Sequence, residues 1–167
     1  ILEREKIDAV VEAEVTLKTF PESWAWGILA GIEEVAGLLT GLPVDVNAFR
    51  EGSSFRVGEP ILTVRGPYRE WGHYETAILG LLCQASGIAT KAARVCIAAG
   101  TDPVIEFGVR RAHGPDGGLS ASRAAFIGGA RATSNLMAGK IYGIPVRGTV
   151  AHSWIESFSS ELESFQS

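Results

Sequence analysis

The chain has 167 residues, 46% hydrophobic and 20% charged. That is a globular composition, long enough for one ordinary domain or a small domain plus part of another. A formal net charge of −4 argues against nucleic acid or an acidic membrane surface as the main partner, but leaves room for a small anion held by a few local arginines. The longest uncharged stretch, Thr76 to Thr90, is shorter than the roughly 20 residues that a membrane span needs, and no signal-type leader precedes it. The sequence opens on Ile1 rather than Met, and its polar tail stops as a helix begins, so both ends read as cuts through a longer protein. Cys83 and Cys96 form no Cys-x-x-Cys pair, so no zinc site is expected. Two buried free thiols in a cytoplasmic protein are the simpler reading.

Residues 11–20 alternate apolar and polar, as a half-buried strand does, and Pro21 ends them. Ser23 is a candidate N-cap for a helix from Trp24 to about Leu39, with Ile28, Ile32, Val35 and Leu39 on one face. Three short extended segments follow at 44–49, 54–57 and 60–65, punctuated by Gly52, Gly58 and Gly66-Pro67, which predicts a small antiparallel sheet. From Arg69 the period becomes helical, and the helix continues past Gly87 to about Ala99, with Gly100 closing it.

Beyond Gly100 the pattern changes. Residues 103–109 read as a strand, Gly114 to Gly118 as a loop, and about Ser120 to Ile141 as a helix. Residues 146–151 read as a second strand, with a further helix starting near Ser153. Strand, helix, strand, helix is the opening of a parallel sheet or an α/β barrel. The predicted class is therefore α/β: an N-terminal α+β domain over 1–100, followed over 101–167 by the first βα units of an α/β barrel. Two such units cannot close a barrel of eight, which leaves an exposed sheet edge.

In barrels the strand C-termini build the active site. Arg110 and Arg111, followed by a Gly-rich loop and a helix N-terminus, suit an anion site there. A solvated arginine pair beside a loop is the competing reading, and opposite-facing neighbours on a strand would leave one Arg in the site. Thr149, His152 and Ser153 bring polar groups to the end of the second strand, where a histidine can serve as base, metal ligand, nucleophile or plain structural residue. His73 and His113 read as surface or structural. The small residues Ala121, Ala125, Gly128, Ala132 and Gly139 read as a helix seam packed on the sheet.

Three runs together carry a resemblance. Phe107-Gly108-Val109-Arg110-Arg111-Ala112-His113-Gly114-Pro115-Asp116-Gly117-Gly118-Leu119-Ser120-Ala121-Ser122 resembles a segment of the nicotinate phosphoribosyltransferases. Ser134-Asn135-Leu136-Met137-Ala138-Gly139-Lys140 and Gly148-Thr149-Val150-Ala151-His152-Ser153 resemble two later segments in the same order. Glu51-Gly52, Glu75-Thr76-Ala77 and the run from Ser86 to Arg94 are similar to that family's first domain. The Ser-Gly-Ile-Ala-Thr run is also similar to quinolinate phosphoribosyltransferases, which carry an Arg where this chain has Thr76 and lack the histidine. Nicotinamide phosphoribosyltransferases set their histidine in a different motif.

The resemblance implies that nicotinate is joined to 5-phosphoribosyl 1-diphosphate to give nicotinate mononucleotide and pyrophosphate, in NAD salvage. It implies coupling to ATP hydrolysis through a phosphohistidine, with His152 as the catalytic residue and Mg2+ travelling with the substrate phosphates. Thr149 falls where the family contacts nicotinate, and Arg110 where an arginine meets the pyridine carboxylate or the phosphoribosyl donor; Arg111 and Ser153 stand beside them. A cytoplasmic homodimer with shared active sites is also implied. The segment that supplies an aromatic for nicotinate, the later barrel strands and their phosphate loops are not in this sequence, so the chain alone is not expected to turn over substrate. A quinolinate enzyme and a truncated, non-catalytic binding module are the alternatives.

Overall fold

The computed structural model describes Arg4 and residues 9–167. Strand β1 (Val10–Thr16) half-buries Val11, Ala13 and Val15 and leaves Glu12 and Glu14 in solvent, the two-residue period its sequence carries. It ends at Thr16, short of the expected Phe20.

The helix expected from Trp24 starts eight residues later. Gly27–Ile28 is a short strand, β2, and only Ile32–Leu39 is helical, as α1. Ser23, the expected cap, lies in a 3-10 turn with φ 59°. The helical period of Ile28, Ile32 and Val35 loses here to backbone pairing. Leu29 N–H donates to Ser53 O at 2.9 Å, and Gly52 N–H donates to Leu29 O at 2.8 Å. On the other side Ile28 N–H donates to Thr90 Oγ1 at 2.8 Å. Ala30 N–H donates to Ser86 Oγ at 3.1 Å, and the Ser86 hydroxyl donates back to Ala30 O at 3.0 Å. Ser86 and Thr90, four apart on one helix face, thus satisfy an extended segment lying across them. The guanidinium of Arg94 sits against Trp24 and Trp26, at 4.1 and 4.6 Å from the ring centres, and holds the start of the same segment.

Strands β3 (Asp45–Ala48), β4 (Ser54–Phe55) and β5 (Pro60–Pro67) follow. The expected antiparallel sheet forms in the order β1-β5-β3, while β4 leaves it to pair with β2. Helix α2 (Tyr68–Trp71) and a 3-10 turn lead into α3 (Glu75–Ala99). It runs through Gly87 and stops at Gly100, whose φ of 65° is one that glycine adopts readily. Leu29, Val35, Leu62, Val64, Ile78 and Leu82 form the main core, each buried side chain contributing roughly 1.5–3 kcal/mol. The buried face of α3 includes Leu82 and Ser86, which turns Cys83 to solvent and leaves Cys96 half-buried. The expectation of two buried thiols is therefore corrected: at about 100° per residue Cys83 falls just beyond the edge of the buried arc of α3, past Thr90.

After Gly100 the order is β6 (Ile105–Glu106), α4 (Gly114–Ile127), β7 (Ala132–Thr133) and α5 (Leu136–Tyr142). Strands β6 and β7 are parallel, and Thr133 makes a further parallel bridge to Val146. The mixed α/β class is as expected, but the element bounds are not. The long helix expected over Ser120–Ile141 is two helices with a strand between them, broken at Gly128 and at Gly129, φ 107°. The expected loop at Gly114 to Gly118 is the first turn of α4. The strand expected over 146–151 reduces to the bridge at Val146, and that over 103–109 to β6. The chain closes with α6 (His152–Ile155) and α7 (Glu161–Gln166). Glu106 bonds to α4, so its strand neighbours Ile105 and Phe107, both exposed, face the other way. Among the described residues no helix is long and apolar enough to cross a membrane.

Candidate active site

Parallel pairing of β6, β7 and Val146 sends the chain out of all three at one edge. The Arg110–Arg111 turn, the Ser134–Asn135 turn and the Thr149–His152 segment therefore each follow, in the chain, a strand end or bridge at that edge. Arg110 and Arg111 lie in a 3-10 turn, Val109–Arg111, rather than on a strand end. Strand alternation consequently does not force one of them away, and both are exposed. Thr149 lies in irregular chain, His152 opens α6 and Ser153 follows it, all three exposed. Among the described residues, the side chains of Arg110, Arg111, Thr149 and His152 have no hydrogen-bond or ion-pair partner. The helix α4 start contributes less to an anion site than its glycines suggested. Pro115 has no N–H, and Asp116 places a carboxylate in the first turn, where it takes the favourable end of the dipole itself. Anion recognition here rests mainly on the arginines.

A cleft of about 610 Å³ between α3 and the β6–α4 turn takes in Lys91, Glu106, Gly108, Arg111 and His113. Arg110, Thr149, His152 and Ser153 lie outside its lining, so of the five candidate residues Arg111 alone lines this cleft. His113 stands at the N-cap position of α4 without a side-chain capping bond, and His73 lies in the 3-10 turn before α3.

Two polar clusters were missed from sequence. The first surrounds Glu106. The Glu106 carboxylate accepts from Ser122 Oγ at 2.9 Å, from Thr133 Oγ1 at 2.6 Å and from Gly108 N–H. Asn135 N–H donates to Thr133 Oγ1 at 3.0 Å and Asn135 Nδ2 to Ser122 Oγ at 3.2 Å. The Asn135 side-chain oxygen accepts from Met137 and Ala138 N–H and so caps α5. Asparagine before Leu136 was a legible capping signal, hidden because 120–141 read as one helix.

The second cluster joins the parts before and after Gly100. Glu51 accepts from Gly31 N–H at 2.6 Å and Ile32 N–H at 2.9 Å, capping α1 through space. It also takes a two-pronged contact from Arg123 of α4, at 2.6 and 3.1 Å. Glu33 and Glu34 reach the same guanidinium at 2.6 and 3.4 Å. Burial alone would raise the Glu51 pKa, but the Arg123 hydrogen bonds, its charge and the two backbone donors outweigh burial and hold it below 4.5. Arg123 is itself pushed upward: burial opposes the charge, and the three carboxylates overcome it. Among the described residues no group of three or more His, Cys, Asp or Glu side chains could hold a metal ion.

Comparison with known proteins agrees with this picture. Residues 2–86 match the family described as quinolinate phosphoribosyl transferase, N-terminal domain. A nicotinate phosphoribosyltransferase of Caenorhabditis elegans is 51% identical over 126 residues, covering 75% of this chain and 22% of the relative. A Pyrococcus furiosus structure described as a nicotinate-nucleotide pyrophosphorylase is 44% identical, with a TM-score of 0.94 over 99% of this chain and 42% of that one. The human nicotinic acid phosphoribosyltransferase structure is 34% identical, with a TM-score of 0.81 over 94% of this chain and 38% of that one. The chain spans about a fifth of the length of the curated relatives it matches. It belongs to the family of phosphoribosyltransferases built on the quinolinate phosphoribosyl transferase N-terminal domain, and within that family it is similar to nicotinate phosphoribosyltransferases.

Proposed function

We propose that residues 1–100 are the N-terminal α+β domain, and residues 101–167 the opening barrel units, of an enzyme that joins nicotinate to 5-phosphoribosyl 1-diphosphate in NAD salvage. The pyridine nitrogen bonds to the ribosyl C1 as the C1–oxygen bond breaks, and pyrophosphate leaves. The observation that carries this reading is that Arg110, Arg111, Thr149 and His152, which follow the parallel-paired segments in the chain, are exposed and have no side-chain partner among the described residues. Exposed guanidinium groups suit a carboxylate or phosphate ligand. In this reading Arg110 meets the nicotinate carboxylate or the donor, Arg111 supports it, and Thr149 and Ser153 offer hydroxyls to the pyridine side.

His152 would accept a phosphoryl group from ATP, with ADP leaving, and so couple ATP hydrolysis to synthesis. An exposed imidazole with no fixed partner suits that transfer. Mg2+ would enter on substrate phosphates. A cytoplasmic homodimer with sites shared between subunits completes the proposal. A quinolinate enzyme is the second reading, favoured by the domain matched over residues 2–86, and opposed by Thr76 after Glu75 and by His152.

In the full-length protein, His152→Ala is expected to abolish ATP stimulation of nicotinate mononucleotide synthesis while leaving an ATP-independent background. Following product with and without ATP checks this. Unchanged stimulation would overturn the role given to His152.

A further inference from the structure

The Glu106 carboxylate takes three hydrogen bonds from three different stretches of chain: Gly108 in the turn that leads to the arginines, Ser122 of α4 and Thr133 of β7. No cation among the described residues forms an ion pair with it. A carboxylate bonded only to neutral donors is held by geometry rather than by charge pairing, and it fixes what donates to it. The turn it fixes is short. Arg111 N–H donates back to Gly108 O at 2.8 Å, and Ala112 N–H to Val109 O at 3.1 Å, so anchoring Gly108 orients the backbone of both arginines. The same cluster reaches the neighbouring segments, because Ser134 N–H donates to Glu106 O at 2.9 Å and Arg147 N–H to Thr133 O at 3.0 Å.

We propose that Glu106 is a positioning residue that, through Gly108 and Thr133, holds Arg110 and Arg111 in register with the Thr149–His152 segment to receive the phosphorylated donor. The inference rests on the transferase reading for the identity of that donor. It does not rest on that reading for the anchoring itself.

The test uses the full-length protein with Glu106→Ala, Glu106→Gln and Thr133→Val. Glu106→Ala is expected to raise the KM for 5-phosphoribosyl 1-diphosphate roughly tenfold, with a smaller change in kcat. It is also expected to speed hydrogen exchange at the Gly108 amide by about tenfold or more. Glu106→Gln should restore both. The amide oxygen still accepts from Gly108, and the Ser122 and Thr133 hydroxyls rotate to accept from the amide nitrogen. Should Glu106→Ala fail to fold, Thr133→Val keeps the shape, removes one donor to Glu106 together with the acceptor of Asn135 N–H, and is expected to raise the same KM about threefold.

A lower melting temperature with unchanged KM and unchanged Gly108 exchange would overturn the proposal. So would Glu106→Gln as impaired as Ala. The exchange measurement needs no turnover. If the unmodified protein makes no nicotinate mononucleotide, the transferase reading fails while the Glu106 anchor is still decided.

Discussion

Arg123→Ala is expected to lower the unfolding free energy by about 3–5 kcal/mol, a large share of the roughly 5–15 kcal/mol that a domain has. Arg123 is 8% exposed and reaches Glu33, Glu34 and Glu51. Removing it leaves Glu51 desolvated, with only the two α1 backbone donors, and leaves three carboxylates crowded at one helix start. Glu33 is 76% exposed in its side chain, so Glu33→Gln is expected to change little, as exposed pairs do. The acid limb tests the same assignment. Glu51 is depressed below its ordinary 4.5 in the fold, so its stabilisation is present above that value and is lost as pH falls through the lower folded value. Arg123→Ala should remove that part of the limb, since burial then acts on Glu51 with less opposing it. Urea melts of both proteins at pH 7 and across pH 2–5 read both effects. Equal stability at pH 7 would contradict the assignment. Because α4 follows directly on the Arg110–Arg111 turn, the clamp also fixes that turn against the first hundred residues, and the variant should lose activity along with stability.

Gly128→Ala is expected to cost about 3 kcal/mol. A Cβ at Gly128 would lie 2.3 Å from Ala89 O and 2.8 Å from Ala92 Cβ. Ala89 O is backbone in the middle of α3, so α4 must move off it. Gly80→Ala is the counter-case. Gly80 is exposed in α3 with nothing within 4 Å of a new Cβ, and the change is expected to stabilise by about 0.5–1 kcal/mol. Opposite signs for one substitution separate steric closeness from helix propensity. A neutral Gly128→Ala would mean that α3 and α4 are not packed at this distance.

Gly128 also shows where the sequence was legible and where it was not. A glycine pair inside an apparent helix called for a packing reason, and packing is the reason. The partner is α3, however, and the helix ends there, so the small-residue seam is spread over α4, β7 and α5 instead of lying on one face. Strand β1 was readable because local period and burial agree in it, while β3, β5 and the helix α3 were readable from the Gly and Pro residues that bound them. The segment 24–31 was not, because its structure comes from Ser53, Ser86 and Thr90, which lie 24, 56 and 62 positions from their partners Leu29, Ala30 and Ile28. For the candidate site, the motifs named Arg110, Arg111, Thr149, His152 and Ser153, all of them exposed and none of them in a strand. Glu106, Thr133 and Asn135 sit in strands only two residues long or at their ends, too short for any period to mark. The Glu51–Arg123 pair is 72 positions apart, and nothing local announces it.

The nicotinate and quinolinate readings differ in the pyridine that the full-length protein accepts. The direct measurement offers the full-length protein nicotinate and quinolinate in competition, with 5-phosphoribosyl 1-diphosphate, ATP and Mg2+, while following mononucleotide, pyrophosphate and CO2. Nicotinate mononucleotide and pyrophosphate are expected to form from nicotinate without CO2, with no turnover of quinolinate. CO2 released in step with mononucleotide from quinolinate, with nicotinate left unreacted, would contradict the nicotinate reading.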